Sequence, residues 1–282
     1  MKKFVFLISF LVFLLIVYMF INSRNNEFDR KKSVVVSVLP LKYFVDQIAN
    51  GKIDCYVMVP PGSSPAMYEP TSEKMRQVAD ASLFFSIGVP AERMWLSKIA
   101  QMNRDLKIIN LTDGIQLRSF DNRLDPHIWN APSLVEKIAE KIYISLSETD
   151  PENKSYYHSN YLGFVEKVKA LDQAIREKMK GKKKRVFMVY HPAWGYFARE
   201  YGLKQIAIET EGKEPSPRQL DDLIRMAKQY DIKVIFVQKQ FSKKSAEAIA
   251  LAVGADVVVL DPLSENYFEN MMYVADEIAK SL

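Results

Sequence analysis

Three side chains of this sequence are of the right type to share one cation. His127 lies in Asp125-Pro126-His127-Ile128-Trp129, His191 follows Val186-Phe187-Met188-Val189-Tyr190, and Asp261 follows Val257-Val258-Val259-Leu260. The runs before His191 and Asp261 are β-branched and aromatic and read as buried strands, each stopped by a proline, Pro192 or Pro262. Both residues therefore sit just past a strand end, which is where open α/β sheets bind ligands. Two imidazoles and a carboxylate form a hard-to-borderline donor set that suits Zn2+, and Mn2+ or Fe2+ fit it too. Each residue also has a plainer reading: a histidine after a strand caps or packs, an Asp before Pro forms a turn, and His127 packs on its aromatic neighbour. The metal reading therefore requires that the three converge. His158, the remaining histidine, is placed on the solvated face of a helix. The single Cys55 can form neither an intrachain disulfide nor a thiolate zinc site and reads as a small buried hydrophobe.

The elements that must position these residues alternate between strands and helices. Strands are expected at 34–39, 53–59, 83–87 and 106–110, with helices at 41–49, 72–79 and 91–102 between and after them. A loop over 112–128 carries His127, and a helix follows at 132–146. From Asp150 a long helix is expected, with Tyr157, Tyr161, Phe164, Val168, Leu171, Ile175 and Met179 alternating steps of four and three. Asp150 would cap it, and Gly181 ends it. The rhythm then resumes with strands at 186–190, 204–208, 233–237 and 256–260. Helices fall after His191, at 216–230 and 242–253, and from about 266. The expected fold class is α/β: two βα lobes with parallel sheets, bridged by one long helix. The boundaries expected are 1–32 for the N-terminal segment, 33–149 for the first lobe, 150–182 for the linker helix and 183–282 for the second lobe. The segment 209–217 reads as an inter-lobe loop. Glu209, Glu211 and Glu214 would repel an anion there, and Lys213 is expected to pair with one of them.

The chain has 282 residues, 48% of them hydrophobic and 26% charged, enough to bury a sizeable core. Its +5 charge is unevenly spread: six of 39 basic and two of 34 acidic residues fall within the first 32, leaving 33 against 32 beyond. That near balance argues against a nucleic-acid partner. Lys2-Lys3 precede an uncharged apolar run over 4–23, the pattern of an export signal and close to the ~18–20 residues that span a bilayer. No small-residue cleavage site follows it, so an uncleaved signal-anchor is favoured over a cleaved peptide. Either one places the remainder outside the cytoplasm.

Several motifs together resemble a known family. Pro60-Pro61-Gly62-Ser63-Ser64-Pro65-Ala66-Met67-Tyr68-Glu69-Pro70-Thr71 and Asp125-Pro126-His127-Ile128-Trp129 are similar to the two metal loops of zinc- and manganese-binding lipoproteins of ABC transporters. Tyr190-His191-Pro192-Ala193-Trp194-Gly195-Tyr196-Phe197, Glu211-Gly212-Lys213-Glu214-Pro215-Ser216-Pro217 and Leu260-Asp261-Pro262-Leu263 resemble its zinc branch. The resemblance runs in order from Ser33 to the C-terminus. It implies a monomeric, non-enzymatic binding protein at the outer face of the membrane or in the periplasm. Such a protein captures a divalent metal, foremost Zn2+, between its lobes and delivers it to an ABC permease. By the same resemblance His127, His191 and Asp261 occupy ligand positions, and a histidine at 191 rather than a carboxylate favours zinc. Ala66 departs from the pattern, because the family carries a histidine there and alanine cannot ligate. Glu69 is the nearest carboxylate to that position, where its expected role is to hold the loop. The His-rich acidic loop of many zinc members is absent, so no auxiliary site is expected. The competing readings are a Mn2+ or Fe2+ binder of the same family, a metal-free adhesive relative, and a zinc hydrolase using Glu69 as base.

Overall fold

Val34, Val35 and Val36 show how the sequence builds the architecture. Successive side chains of a strand point to opposite faces, and here both faces are covered: Val34 and Val36 enter one hydrophobic core and Val35 another. A strand buried on both sides reads as an unbroken apolar run, the mark of a parallel sheet covered by helices. The computed structural model describes residues 32–120, 123–209 and 212–282. The expected anchor over 4–23 lies outside the described residues.

Two parallel four-stranded sheets organise Ser33–Leu282, which forms one compact unit. The first sheet contains β1 (Ser33–Val36), β2 (Asp54–Val57), β3 (Leu83–Ser86) and β4 (Lys107–Asn110) in the order β2-β1-β3-β4. The second contains β7 (Val186–Val189), β8 (Lys204–Ala207), β9 (Val234–Val237) and β10 (Asp256–Val259) in the order β10-β9-β7-β8. In each half, therefore, the chain leaves its first strand to one side and returns on the other. The crevices where that order reverses lie at the ends of β1 and β3 and of β7 and β9.

Helices α1 (Leu39–Ala49), α2 (Ser72–Ala79) and α3 (Glu92–Met102) connect the first sheet. The first of these begins two residues before the expected start, because Pro40 sits in its opening turn, where a fixed φ and a missing N–H are harmless. The strand before it is correspondingly shorter. Asn50 ends the helix with a φ of 43° and Gly51 follows at 84°, left-handed values that fit the Asn-Gly stop. The loop read over 112–128 holds a small antiparallel pair, β5 (Ser119–Phe120) with β6 (Arg123–Leu124), and is followed by a 3-10 turn at Ile128–Asn130. Two-residue strands carry too few alternating positions to be seen by periodicity.

Helix α4 (Pro132–Thr149) packs along the long helix α5 (Lys154–Met179). The latter has 26 residues and a 3-10 turn at Pro151–Asn153 before it, and at 1.5 Å per residue it spans about 39 Å. Asp150 does not cap it through its side chain. Instead the carboxylate accepts hydrogen bonds from Asn153 and from the buried Tyr157 hydroxyl. Tyr157, Phe164, Val168, Leu171, Ile175 and Met179 form the buried stripe the spacing predicts. They belong to a core that also takes in Val34 and Phe85 of the first sheet and Phe187 and Phe236 of the second. One apolar body thus runs through both halves. Helices α6 (Gly195–Glu200), α7 (Pro217–Gln229), α8 (Lys244–Val253) and α9 (Tyr267–Ser281) complete the second half. Cys55 is buried and unpaired, as its apolar surroundings suggested.

Candidate metal centre

The register of the second sheet sets out the site. β7 pairs with β8 as Val189↔Ala207 and with β9 as Val189↔Phe236. Continuing two residues past those pairs brings His191 level with Glu209 on one side and Gln238 on the other. The contacts follow that register. His191 Nδ1 lies 2.7 Å from Glu209 Oε1, while Gln238 takes the His191 N–H at 3.2 Å and donates to its carbonyl at 3.0 Å. Gln238 is fully buried and Glu209 nearly so, so both hold firmly. Phe241, beyond Gln238, stacks on the imidazole at 4.7 Å between ring centroids. The backbone and the ring of His191 are thereby fixed separately.

His127 is fixed by its own loop. Asp125 Oδ1 accepts the backbone N–H of His127 at 3.0 Å and meets its Nδ1 at 2.8 Å, a local turn closed by one oxygen. The Tyr196 hydroxyl, from α6 of the other half, donates to the Asp125 carbonyl at 2.7 Å and accepts from the Arg118 N–H at 2.9 Å. Gly195 leaves room beside it: a Cβ there would fall 1.7 Å from Arg118 Nη1 and 3.0 Å from Asp125 Oδ2. The missing side chain is what lets Arg118 lie against the Asp125 carboxylate.

The two imidazoles, from different halves, bring their Nε2 atoms to 3.2 Å. With a carboxylate at each Nδ1, both neutral rings take the Nδ1–H tautomer, an assignment made from these partners. Each then points an Nε2 lone pair at the other, and such a pair repels unless a cation lies between. Two nitrogens bound at ~2.0–2.1 Å to one tetrahedral zinc are about 3.3 Å apart, close to the spacing found. The His191 pKa is lowered: burial disfavours its charged form, the Glu209 hydrogen bond opposes that, and the neighbouring His127 adds to the lowering. A neutral imidazole is the form that ligates.

Asp261 occupies the equivalent place past β10, next to Lys239, whose Nζ is 3.9 Å from Asp261 Oδ2. Its Oδ1 accepts the Leu263 N–H at 2.9 Å. In the sheet order β9 stands between β10 and β7. The backbone positions of Asp261 and His191 are thus about two strand spacings, ~9–10 Å, apart. The structure brings the two histidines together but does not group Asp261 with them. Among the described residues no three His, Cys, Asp or Glu side chains are clustered closely enough to hold a metal. Asp261 does line a cleft of about 150 Å3 between the halves, with Pro60, Pro61 and Gly62 opposite. Ala66 and Glu69 are exposed on that same loop. His158 is exposed on α5 and packs beside Tyr143.

Sequence reasoning gave Asp125 no role and treated Glu209 as loop. The Asp-Pro-His spacing carried a usable signal, since an Asp reaches the residue two ahead. Glu209 had none until the β7–β8 register was known. Glu214 bonds Ser245, and Lys213 forms no ion pair among those found in the described residues.

Two halves with parallel sheets, a long helix between them and an imidazole pair at their junction define the two-lobed, helix-bridged class of metal receptor. Residues 34–281 match the family described as zinc-uptake complex component A, periplasmic, and the chain belongs to that family, one of transport components rather than enzymes. The high-affinity zinc uptake system protein ZnuA of Bacillus subtilis is 31% identical over 251 residues, covering 83% of this chain and 79% of that protein. The zinc-binding lipoprotein AdcA of Streptococcus pneumoniae is 28% identical over 86% of this chain, which spans only about half, 52%, of AdcA. Among solved structures, a crystal structure of ZnuA superimposes with a TM-score of 0.86 at 37% identity, covering 89% of this chain and 98% of that one.

Proposed function

We propose that this protein is an extracytoplasmic receptor that captures one Zn2+ at the junction of its halves and passes it to an ABC permease. His127 and His191 bind through Nε2, and Asp261 supplies a carboxylate as the halves draw together. The observation that supports this is the imidazole pair, two Nε2 atoms 3.2 Å apart with each Nδ1 held by a buried carboxylate. Carboxylate–histidine–metal arrangements of this kind fix the tautomer and raise ligand basicity. An imidazole-rich set favours zinc over Mn2+, which prefers oxygen donors. The zinc-uptake names of the relatives point the same way.

On this reading residues 33–149 and 183–282 are the lobes and 150–182 the connector. The apolar run over 4–23 holds a single copy of the protein at the membrane. No helix among the described residues is long and apolar enough to cross a bilayer.

The test is elemental analysis of the full chain purified without chelators, paired with zinc titration calorimetry. One zinc per chain is expected, with His127→Ala and His191→Ala each losing it. A protein that shows neither heat nor a thermal shift with zinc overturns the reading.

A further inference from the structure

The three candidate ligands lie on three separate loops, and the 3-10 turn that follows His127 touches the other two. Trp129 Nε1 donates to the carbonyl of Pro262, the residue after Asp261, at 2.7 Å. Asn130 Nδ2 donates to the carbonyl of Ala193, two residues after His191, at 2.9 Å. Both side chains are about 1% exposed, so neither bond competes with water. The turn belongs to the first half, and both acceptors belong to the second. In the second sheet β9 keeps the strand ends of β7 and β10 two spacings apart, and the ladder does not hold the loops beyond those ends, which carry His191 and Asp261. The turn reaches both.

From this geometry, and resting on the reading of His127, His191 and Asp261 as ligands, we propose that Trp129 and Asn130 are positioning residues that set the spacing of the three donors around the metal. Trp129 acts through Asp261, and Asn130 acts through His191. Zinc tolerates donor distances only within about ±0.2 Å, so a loop free to drift loses affinity although its ligand is intact. A plainer role, filling space, is open to both side chains, and Trp129 does belong to the shared core. The two roles differ in what they couple to.

The experiment is a double-mutant cycle on the full chain, read by zinc competition against a chromophoric chelator and by the visible spectrum of the Co2+ form. Trp129→Phe keeps a ring but loses the N–H. It should weaken zinc about 10-fold alone, and less than about 2-fold when Asp261→Ala is already present. Asn130→Leu should weaken zinc about 10-fold in both backgrounds. The Co2+ spectrum of Trp129→Phe should move towards that of Asp261→Ala, and that of Asn130→Leu should not. If Trp129→Phe does not fold, benzothienylalanine at 129 replaces the N–H by sulfur at nearly constant shape and gives the same reading. An equal loss for Trp129→Phe in both backgrounds, an unchanged affinity in either single variant, or an Asp261→Ala protein that binds like the wild type overturns the proposal. A wild-type chain that binds no zinc overturns the proposed function instead.

Discussion

The two halves have the same strand order and put different chemistry in the same crevice. In the first, at the ends of β1 and β3, the Glu92 carboxylate enters from the start of α3. It accepts the backbone N–H groups of Ile87 at 2.9 Å and Gly88 at 2.8 Å, and the Ser37 hydroxyl. At 2% exposure it seals that crevice from within. In the second, at the ends of β7 and β9, Gln238 grips the His191 backbone from both sides and leaves the imidazole facing outward to Glu209 and His127. The topology supplies a strand-end crevice in each half. The residue placed there decides whether it becomes a plug or a ligand mount.

The sharpest way to break this contrast is to remove each occupant. His191→Ala should lower zinc affinity at least ~100-fold, since one of a few ligands shares a binding free energy on the scale of ~10 kcal/mol. Its urea midpoint should fall as well, because the buried Glu209 carboxylate loses its partner in the ring. Glu92→Ala should separate the two effects. It strands two buried N–H groups and a hydroxyl, a loss of about 2–4 kcal/mol in urea unfolding, while the folded protein keeps its zinc affinity. If Glu92→Ala weakened zinc as strongly as His191→Ala, the first crevice would not be a plug.

A change of pH sharpens the same comparison. Burial raises the Glu92 pKa, against the lowering effect of its three hydrogen bonds. The folded state therefore holds this proton more tightly than the unfolded chain does. The contribution of Glu92 is most favourable below its unfolded pKa and declines as pH rises through the folded one. Wild type should accordingly gain stability relative to Glu92→Gln as pH falls from neutral towards 4, measured as the difference between their urea midpoints. A difference independent of pH would mean that the carboxyl is not strained by its burial.

In the second crevice, Gln238→Leu removes both bonds to the His191 backbone. A loss of about 1–3 kcal/mol in stability is expected. Zinc affinity should fall about 10-fold, since Gln238 acts on a ligand from behind. The two losses should appear together in this half, whereas in the first half stability alone is lost.

Much of this was legible before any coordinates. Apolar runs that end at His191 and Asp261 gave the strands, and the step pattern from Tyr157 to Met179 gave the long helix, because packing of one face is what both periodicities record. The start of α1 was less legible, because Pro40 closes an apolar run that reads as strand, whereas the helix opening at Pro132 was placed at its first residue. The antiparallel pairing of Ser119–Phe120 with Arg123–Leu124 was missed because two-residue strands leave no pattern. In the site, His127 and His191 were named and do meet. Asp125 was within reach of local turn chemistry, but Glu209 and Gln238 become partners of His191 only through strand register, which a single sequence does not print. The same register explains why Asp261 stands off, since β9 occupies the place between.

The smallest effect should come from Gly195, and it tests how far the comparison extends beyond the crevices. The first crevice is closed by contacts within one half, Ser37, Ile87, Gly88 and Glu92. The ligand mount depends on contacts between halves, and one of them is the fit of Arg118 over Gly195. An alanine Cβ would overlap Arg118 Nη1, which is the tip of a flexible side chain and can swing away, so the fold should survive with a change of about 1 kcal/mol or less. What is lost is the guanidinium 3.9 Å from Asp125 Oδ2, and with it part of the support behind His127. Gly195→Ala should therefore weaken zinc by only a few-fold, and Arg118→Ala should weaken it to the same degree, with no further loss when the two are combined, because both act on one contact. Additive losses on chelator competition would show that Gly195 serves the packing of α6, and that Asp125 holds His127 without help from across the junction.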